Sequence, residues 1–97
     1  MRLEFKALRE LKVTVRAFGP IMEVIGRRQE LELPVDATLE ELARKLDEDA
    51  QARLGKTPGI LHSNLTILVN GMNYEAVKTR ILKEGDHVDI LSPFVGG

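Results

Sequence analysis

The sequence predicts an α+β fold, a mixed sheet with one main helix packed on one face. Three observations carry this. Two alternating apolar segments follow each other early in the chain, one segment with apolar residues at i, i+3, i+4 and i+7 comes next, and two further strand signals follow it. A chain of 97 residues holds a single core, and the economical packing of these elements lays the helix across the sheet.

Residues 1–10 mix charges with scattered Leu and Phe and show no clean period, so they read as an extension ahead of a domain spanning 11–91. Leu11, Val13, Val15 and Ala17 then alternate with Lys12, Thr14, Arg16 and Phe18, the period of a half-buried strand, and Gly19-Pro20 ends it. Residues 21–28 read as a connection of unusual apolar content. Gln29 to Leu33 alternate again up to Pro34, and the short link favours an antiparallel hairpin.

The helix start is explicit. Thr38 and Glu41 have the spacing of a capping box, in which hydroxyl and carboxylate satisfy backbone N–H groups that have no partner in the first turn. Leu39, Leu42, Ala43 and Leu46 form one face. Glu40 and Glu41 suit the positive end of the helix dipole and the spacing for pairs with Arg44 and Lys45. The helix extends toward Leu54 with Gly55 as its stop, and residues 56–64, with Pro58-Gly59, read as loop. The run Asp47-Glu48-Asp49 reads as solvated charge near a helix end.

Residues 65–69 form a branched-rich strand before the turn Asn70-Gly71. Residues 74–77 fit a short strand or a helical turn. Gly85-Asp86 turns the chain into a last strand, residues 87–91, with Val88 and Ile90 on one face. A tail, residues 92–97, ends in Gly96-Gly97 and is expected to be flexible. Hairpin, helix crossover and a later strand returning beside the first make a β-grasp, the ubiquitin-like arrangement.

Composition narrows the function. A net charge of −1 gives no cationic face for phosphates, so no nucleic-acid partner is expected. The apolar runs are far shorter than the ~20 residues of a membrane span, and no secretory signal is evident, so the expectation is a cytoplasmic protein with no membrane partner. There is no cysteine, which removes disulfides and thiolate chemistry. His62 and His87 have no ligand spacing, so no metal site is expected. Nothing resembles a phosphate loop or a nucleophile–base pair, and the chain offers little as an autonomous enzyme.

Attention therefore falls on the tail. Gly96 and Gly97 lack Cβ atoms and can thread a narrow channel, leaving an unhindered carboxylate on Gly97. Pro93 stiffens the exit. Gly-Gly alone fits an incidental flexible end equally well. The periodicity also places Phe18, Leu68 and Leu91 on the face away from the helix, among Thr14, Arg16, Thr66 and Asp89. Apolar side chains gathered there point to a docking patch for a partner, continuous with Pro93, Phe94 and Val95, unless residues 1–10 fold over it.

Taken together, Asn70-Gly71, the segment Leu82-Lys83-Glu84-Gly85-Asp86-His87-Val88-Asp89-Ile90, Pro93 and Gly96-Gly97 resemble the bacterial and archaeal sulfur carriers. These are the small subunit of molybdopterin synthase, the thiamin sulfur carrier and their ubiquitin-like archaeal relatives. The strand at residues 12–19 and the helix start at 38–42 look like those of the molybdopterin member, and the resemblance covers residues 11–97. It implies that a ubiquitin-activating-type adenylyltransferase uses MgATP to join AMP to the Gly97 carboxylate. Sulfur then replaces AMP to give a thiocarboxylate, which the tail carries to a second enzyme such as the molybdopterin synthase large subunit. No cofactor is bound by the carrier itself.

The tail Ser92-Pro93-Phe94-Val95 departs from the Pro-Pro and small residue usual in the molybdopterin members and is more similar to thiamin-type and archaeal tails. The length of the chain is closer to the former. The alternatives are a ubiquitin-like modifier joined to lysines through Gly97, a thiamin or tRNA-thiolation sulfur carrier, and a non-catalytic β-grasp interaction subunit.

Overall fold

The computed structural model describes residues 10–62, 64–74 and 81–93. Of the extension expected over residues 1–10 only Glu10 is described, and it opens the first strand; residues 1–9, most of the ambiguous stretch at 74–77, and Phe94, Val95, Gly96 and Gly97 lie outside the described residues.

Strand β1 (Glu10–Phe18) pairs antiparallel with β2 (Arg28–Pro34), Val13 opposite Leu31 and Leu11 opposite Leu33. On its other side β1 runs parallel to β5 (His87–Leu91), which pairs antiparallel with β3 (Thr66–Val69), and β4 (Met72–Asn73) closes the far edge. The order β2-β1-β5-β3-β4 makes a mixed sheet, with the first and last strands as central neighbours. This is the β-grasp arrangement the sequence predicts.

The helix α2 (Leu39–Leu54) covers one face. Its buried Leu39, Leu42, Ala43, Leu46 and Ala50 share one core with Val13, Val15, Ile67, Val69, Val88 and Ile90 of the sheet. Fully burying each of these Leu, Ile and Val side chains is worth roughly 1.5–3 kcal/mol, which drives the layer together. Both predicted helix signals operate. Thr38 Oγ1 accepts from the Glu41 N–H at 3.2 Å, and Glu41 Oε1 accepts from the Thr38 N–H at 3.0 Å. At the other end Gly55 adopts a left-handed φ of 71° and donates its N–H to the Gln51 carbonyl. Glu41 thus serves the cap, and Lys45 donates to the Glu32 carbonyl on β2, where the i,i+4 spacing pointed to a pair between them.

Two connections carry more structure than the sequence pattern shows. Residues 21–28 include the single helical turn α1 (Met22–Ile25), whose apolar content is explained by Ile21 and Ile25, spaced four apart and both buried. Its exposed carbonyls are satisfied by side chains, Ile25 O from Gln29 Nε2 and Val24 O from Arg53 Nη2. The expected loop at 56–64 contains a 3₁₀ turn, Ile60–His62, that plugs Ile60 into the core. Asp47 holds it down, its Oδ1 accepting from the N–H groups of Gly59 and Ile60. That corrects the reading of Asp47 as solvated charge, and Asp49 pairs with Arg53 at i,i+4.

Asn70 and Gly71 take left-handed φ values of 52° and 84°, as the two-residue hairpin between β3 and β4 requires. The predicted turn before β5 is locked by Asp86, which is buried and accepts from Asn70 Nδ2 and from the Lys83 N–H. No helix among the described residues is long and apolar enough to cross a membrane.

Candidate functional site

With α2 on one face, the residues of opposite parity form the open face of the sheet. Register fixes their neighbours. One row runs Phe18, Leu91, Thr66 across β1, β5 and β3, and the adjacent row runs Arg16, Asp89, Leu68. The expected patch residues therefore share one face. Phe18 and Leu91 are side by side, while Leu68 is diagonal to Leu91 and directly beside Asp89. Phe18 is 43% exposed, and Leu68 and Leu91 are half-buried. Thr14, assigned to the same face, is buried between its register neighbours Glu30 and His87.

The polar part of this face is organised. Arg16 Nε and Nη2 donate to the two carboxylate oxygens of Asp89 at 2.8 and 2.9 Å, a bidentate pair across the parallel strands. The hydrogen bond and then the charge of Asp89 raise the Arg16 pKa above its ordinary value, so the guanidinium is a permanent cation. The same guanidinium lies 5.6 Å from the centroid of the Phe18 ring, within range of a cation–π contact. One arginine thus ties the acidic β5 residue to the exposed aromatic.

The exit from β5 is anchored at the same end. Leu91 is the last paired strand residue, and Ser92 follows. The Ser92 N–H donates to the Phe18 carbonyl at 2.9 Å, and its hydroxyl donates to the same oxygen at 3.2 Å. Ser92 Oγ also accepts from the Ile21 N–H at 2.9 Å. Gly19, with φ of 87°, packs so closely here that a Cβ on it would lie 2.5 Å from the Ser92 carbonyl oxygen. Pro93 is exposed beyond this junction; Phe94, Val95, Gly96 and Gly97 lie outside the described residues.

In the sequence Gly19 reads only as the end of the first strand, and Ser92 only as the start of the tail. A Ser-Pro after the last strand and a Gly-Pro after the first are visible signals, but only the parallel β1–β5 pairing brings them together. His87 is exposed at the start of β5. Among the described residues no three His, Cys, Asp or Glu side chains are grouped to hold a metal ion.

Comparison with known proteins extends these observations. No curated protein sequence matches the chain closely enough to count as a relative. Among solved structures, subunit 1 in a complex of subunits 1 and 2 of the molybdopterin-converting factor from Helicobacter pylori is 27% identical. That likeness covers 90% of this chain and all of that one, with a TM-score of 0.52. A candidate molybdopterin converting factor subunit 1 from Pyrococcus furiosus is 25% identical, with a TM-score of 0.68 over 87% of this chain and 99% of that one. The small archaeal modifier protein SAMP1 from Haloferax volcanii shares the fold at 23% identity, with a TM-score of 0.68 over 89% and 99% of the two chains. The family model described as the ThiS family matches residues 15–97, taking in the second half of β1, the helix, β5 and the tail, and the chain belongs to this family of ubiquitin-like sulfur carriers.

Proposed function

We propose that the chain is a sulfur carrier whose Gly97 carboxylate is adenylated and converted to a thiocarboxylate, and that it donates this sulfur in the biosynthesis of molybdopterin, the organic part of the molybdenum or tungsten cofactor. The observation that carries the reading is the delivery of the chain, at Ser92-Pro93, beside the exposed Phe18 and half-buried Leu91, with the family match continuing to residue 97. A partner that grips the patch holds the origin of the tail. The residues from 93 to 97, at roughly 3.3–3.6 Å each when extended, let the Gly97 carboxylate reach about 17 Å from Ser92.

The chemistry needs an activating partner. A terminal carboxyl has a pKa of about 3.5, so at neutral pH it is an anion and a poor electrophile. Attack of this carboxylate on the α-phosphorus of MgATP gives the acyl-adenylate and releases pyrophosphate, which removes the negative charge from the carboxyl and installs AMP as the leaving group. A sulfide equivalent then displaces AMP, and the tail leaves with a C-terminal thiocarboxylate. The chain contributes no thiol to this sequence and needs none. The acceptor is read from the two molybdopterin-converting-factor relatives, which makes a large subunit of that type the expected second partner.

Intact-mass analysis of the protein purified from its native cell tests this. Replacement of one carboxyl oxygen by sulfur at Gly97 is expected. Lysine conjugates carrying a Gly-Gly remnant, with no thiocarboxylate, would replace the carrier reading by that of a protein modifier.

A further inference from the structure

We infer that Ser92 is a positioning residue, which fixes the direction in which the tail leaves the domain and thereby aims Gly97 at the adenylation site of the activating enzyme. The inference rests on the carrier reading and goes beyond it by locating the aiming device within the folded domain.

Strand pairing between β5 and β1 ends at Leu91 opposite Phe18, so an unanchored residue 92 would be a pivot. Instead, Ser92 is held through both its backbone and its side chain. The N–H bond to the Phe18 carbonyl fixes the peptide plane that enters Ser92, and the bonds from Oγ to Phe18 and from the Ile21 N–H oppose rotation about its N–Cα and Cα–Cβ bonds, because either rotation would carry Oγ away from both partners. The Ile21 N–H lies just before the first turn of α1, so the hydroxyl joins β5 to the β1–α1 connection as well as to β1. Gly19 permits the closeness. A Cβ there would be 2.5 Å from the Ser92 carbonyl oxygen and 2.7 Å from Oγ, and the φ of 87° already disfavours any side chain.

Pro93 extends the constraint. Its ring fixes its own φ near −65° and biases Ser92 toward extended backbone. Two consecutive residues at the root of the tail are therefore restricted before the Gly-Gly freedom begins. Sheet closure alone accounts for the backbone N–H bond but not for the bond the hydroxyl accepts from the Ile21 N–H, which lies outside the sheet. Aim at the root matters because a small angular error there is magnified at Gly97 when the tail is drawn out in the enzyme's channel, and a misplacement near 1 Å at a reacting atom costs up to about a hundredfold in rate.

The test is ATP–pyrophosphate exchange by the activating adenylyltransferase from the native cell, with wild-type carrier, Ser92→Ala and Ser92→Thr. Amide hydrogen exchange at Ile21 is followed in each carrier. For Ser92→Ala the expected result is a fall of about tenfold in kcat, a KM for the carrier within about twofold of wild type because the patch is untouched, and faster exchange at Ile21. The Thr variant, which keeps the hydroxyl, should recover both kcat and Ile21 protection. An unchanged kcat in Ser92→Ala overturns the inference, as does an effect confined to KM, unchanged exchange at Ile21, or a Thr variant that restores Ile21 protection without restoring kcat. A wild-type carrier that supports no exchange would instead sink the carrier reading, and the inference with it.

Discussion

Arg16 and Asp89 occupy opposed positions on the parallel strands β1 and β5 and are joined by two hydrogen bonds, 2.8 and 2.9 Å long, on the open face of the sheet. The arrangement links the two central strands near the end from which the tail departs. The Arg16 side chain is 43% exposed, which screens the attraction, so its contribution should be small and salt-sensitive. Because its folded pKa is raised, that contribution is fully present below the unfolded value and is lost only as pH rises through the folded one, in strong alkali. Across the neutral range the protonation of Arg16 therefore adds no pH dependence to stability. A double-mutant cycle with Arg16→Ala and Asp89→Ala should show a small coupling in thermal midpoint that shrinks as salt is added. A large coupling that resists salt would mean the pair is shielded from solvent.

The Phe18–Leu91 neighbourhood yields a binding prediction. Leu91→Asp and Leu68→Asp should each weaken binding to the activating enzyme by about 2 kcal/mol or more, as for residues at the centre of an interface. Both side chains point away from the α2 core, so the isolated variants should remain folded by circular dichroism. Titration calorimetry with the purified partner checks this; normal affinity in both variants would place the docking surface elsewhere.

Removing Gly96-Gly97 should abolish acyl-adenylate formation while moving the thermal midpoint very little, since both residues follow the last strand, β5, in the sequence and chain ends contribute few buried contacts. Pyrophosphate exchange and calorimetric melting on the same preparation test the two halves together. Sulfur transfer by the truncated protein would show that Gly97 is not the reacting residue.

The parts of this fold legible in the sequence were those governed by local period or by a short turn or cap motif. Val13 and Val15, Val88 and Ile90, and the helix face from Leu39 to Leu46 repeat with the period of their element. Thr38 with Glu41, and Asn70 with Gly71, act through neighbours in the chain. Ile60 and Asp47 were not legible. A three-residue 3₁₀ turn has no period to read, and the carboxylate that anchors it is on a different element. The candidate site divides in the same way. Parity alone placed Phe18, Leu68 and Leu91 on the open face. The Arg16–Asp89 pair and the Ser92 junction depend on the parallel pairing of the first and last strands, over a separation of more than 70 residues, which no local pattern encodes.

The Asp47 tether supports a prediction of its own. Its Oδ1 accepts from the N–H groups of Gly59 and Ile60 at 3.0 and 3.2 Å, and Ile60 is 1% exposed. Asp47→Ala removes a charged acceptor from two donors at the entrance to a buried side chain. Hydrogen bonds to charged groups contribute about 1.5–3 kcal/mol each at most, and partial exposure of the site brings the expected loss to about 1–2 kcal/mol in total. Asp47→Asn keeps an oxygen in place without the charge and should lose about half as much. Chemical denaturation measures both. Amide exchange at Ile60 should accelerate in Asp47→Ala while the amides of β1 and β5 fall only by the global loss, because the tether holds a local segment against α2 and does not enter the sheet. Equal acceleration at Ile60 and in the central strands would show that the 3₁₀ turn unfolds only with the whole domain, and that Asp47 acts on global stability alone.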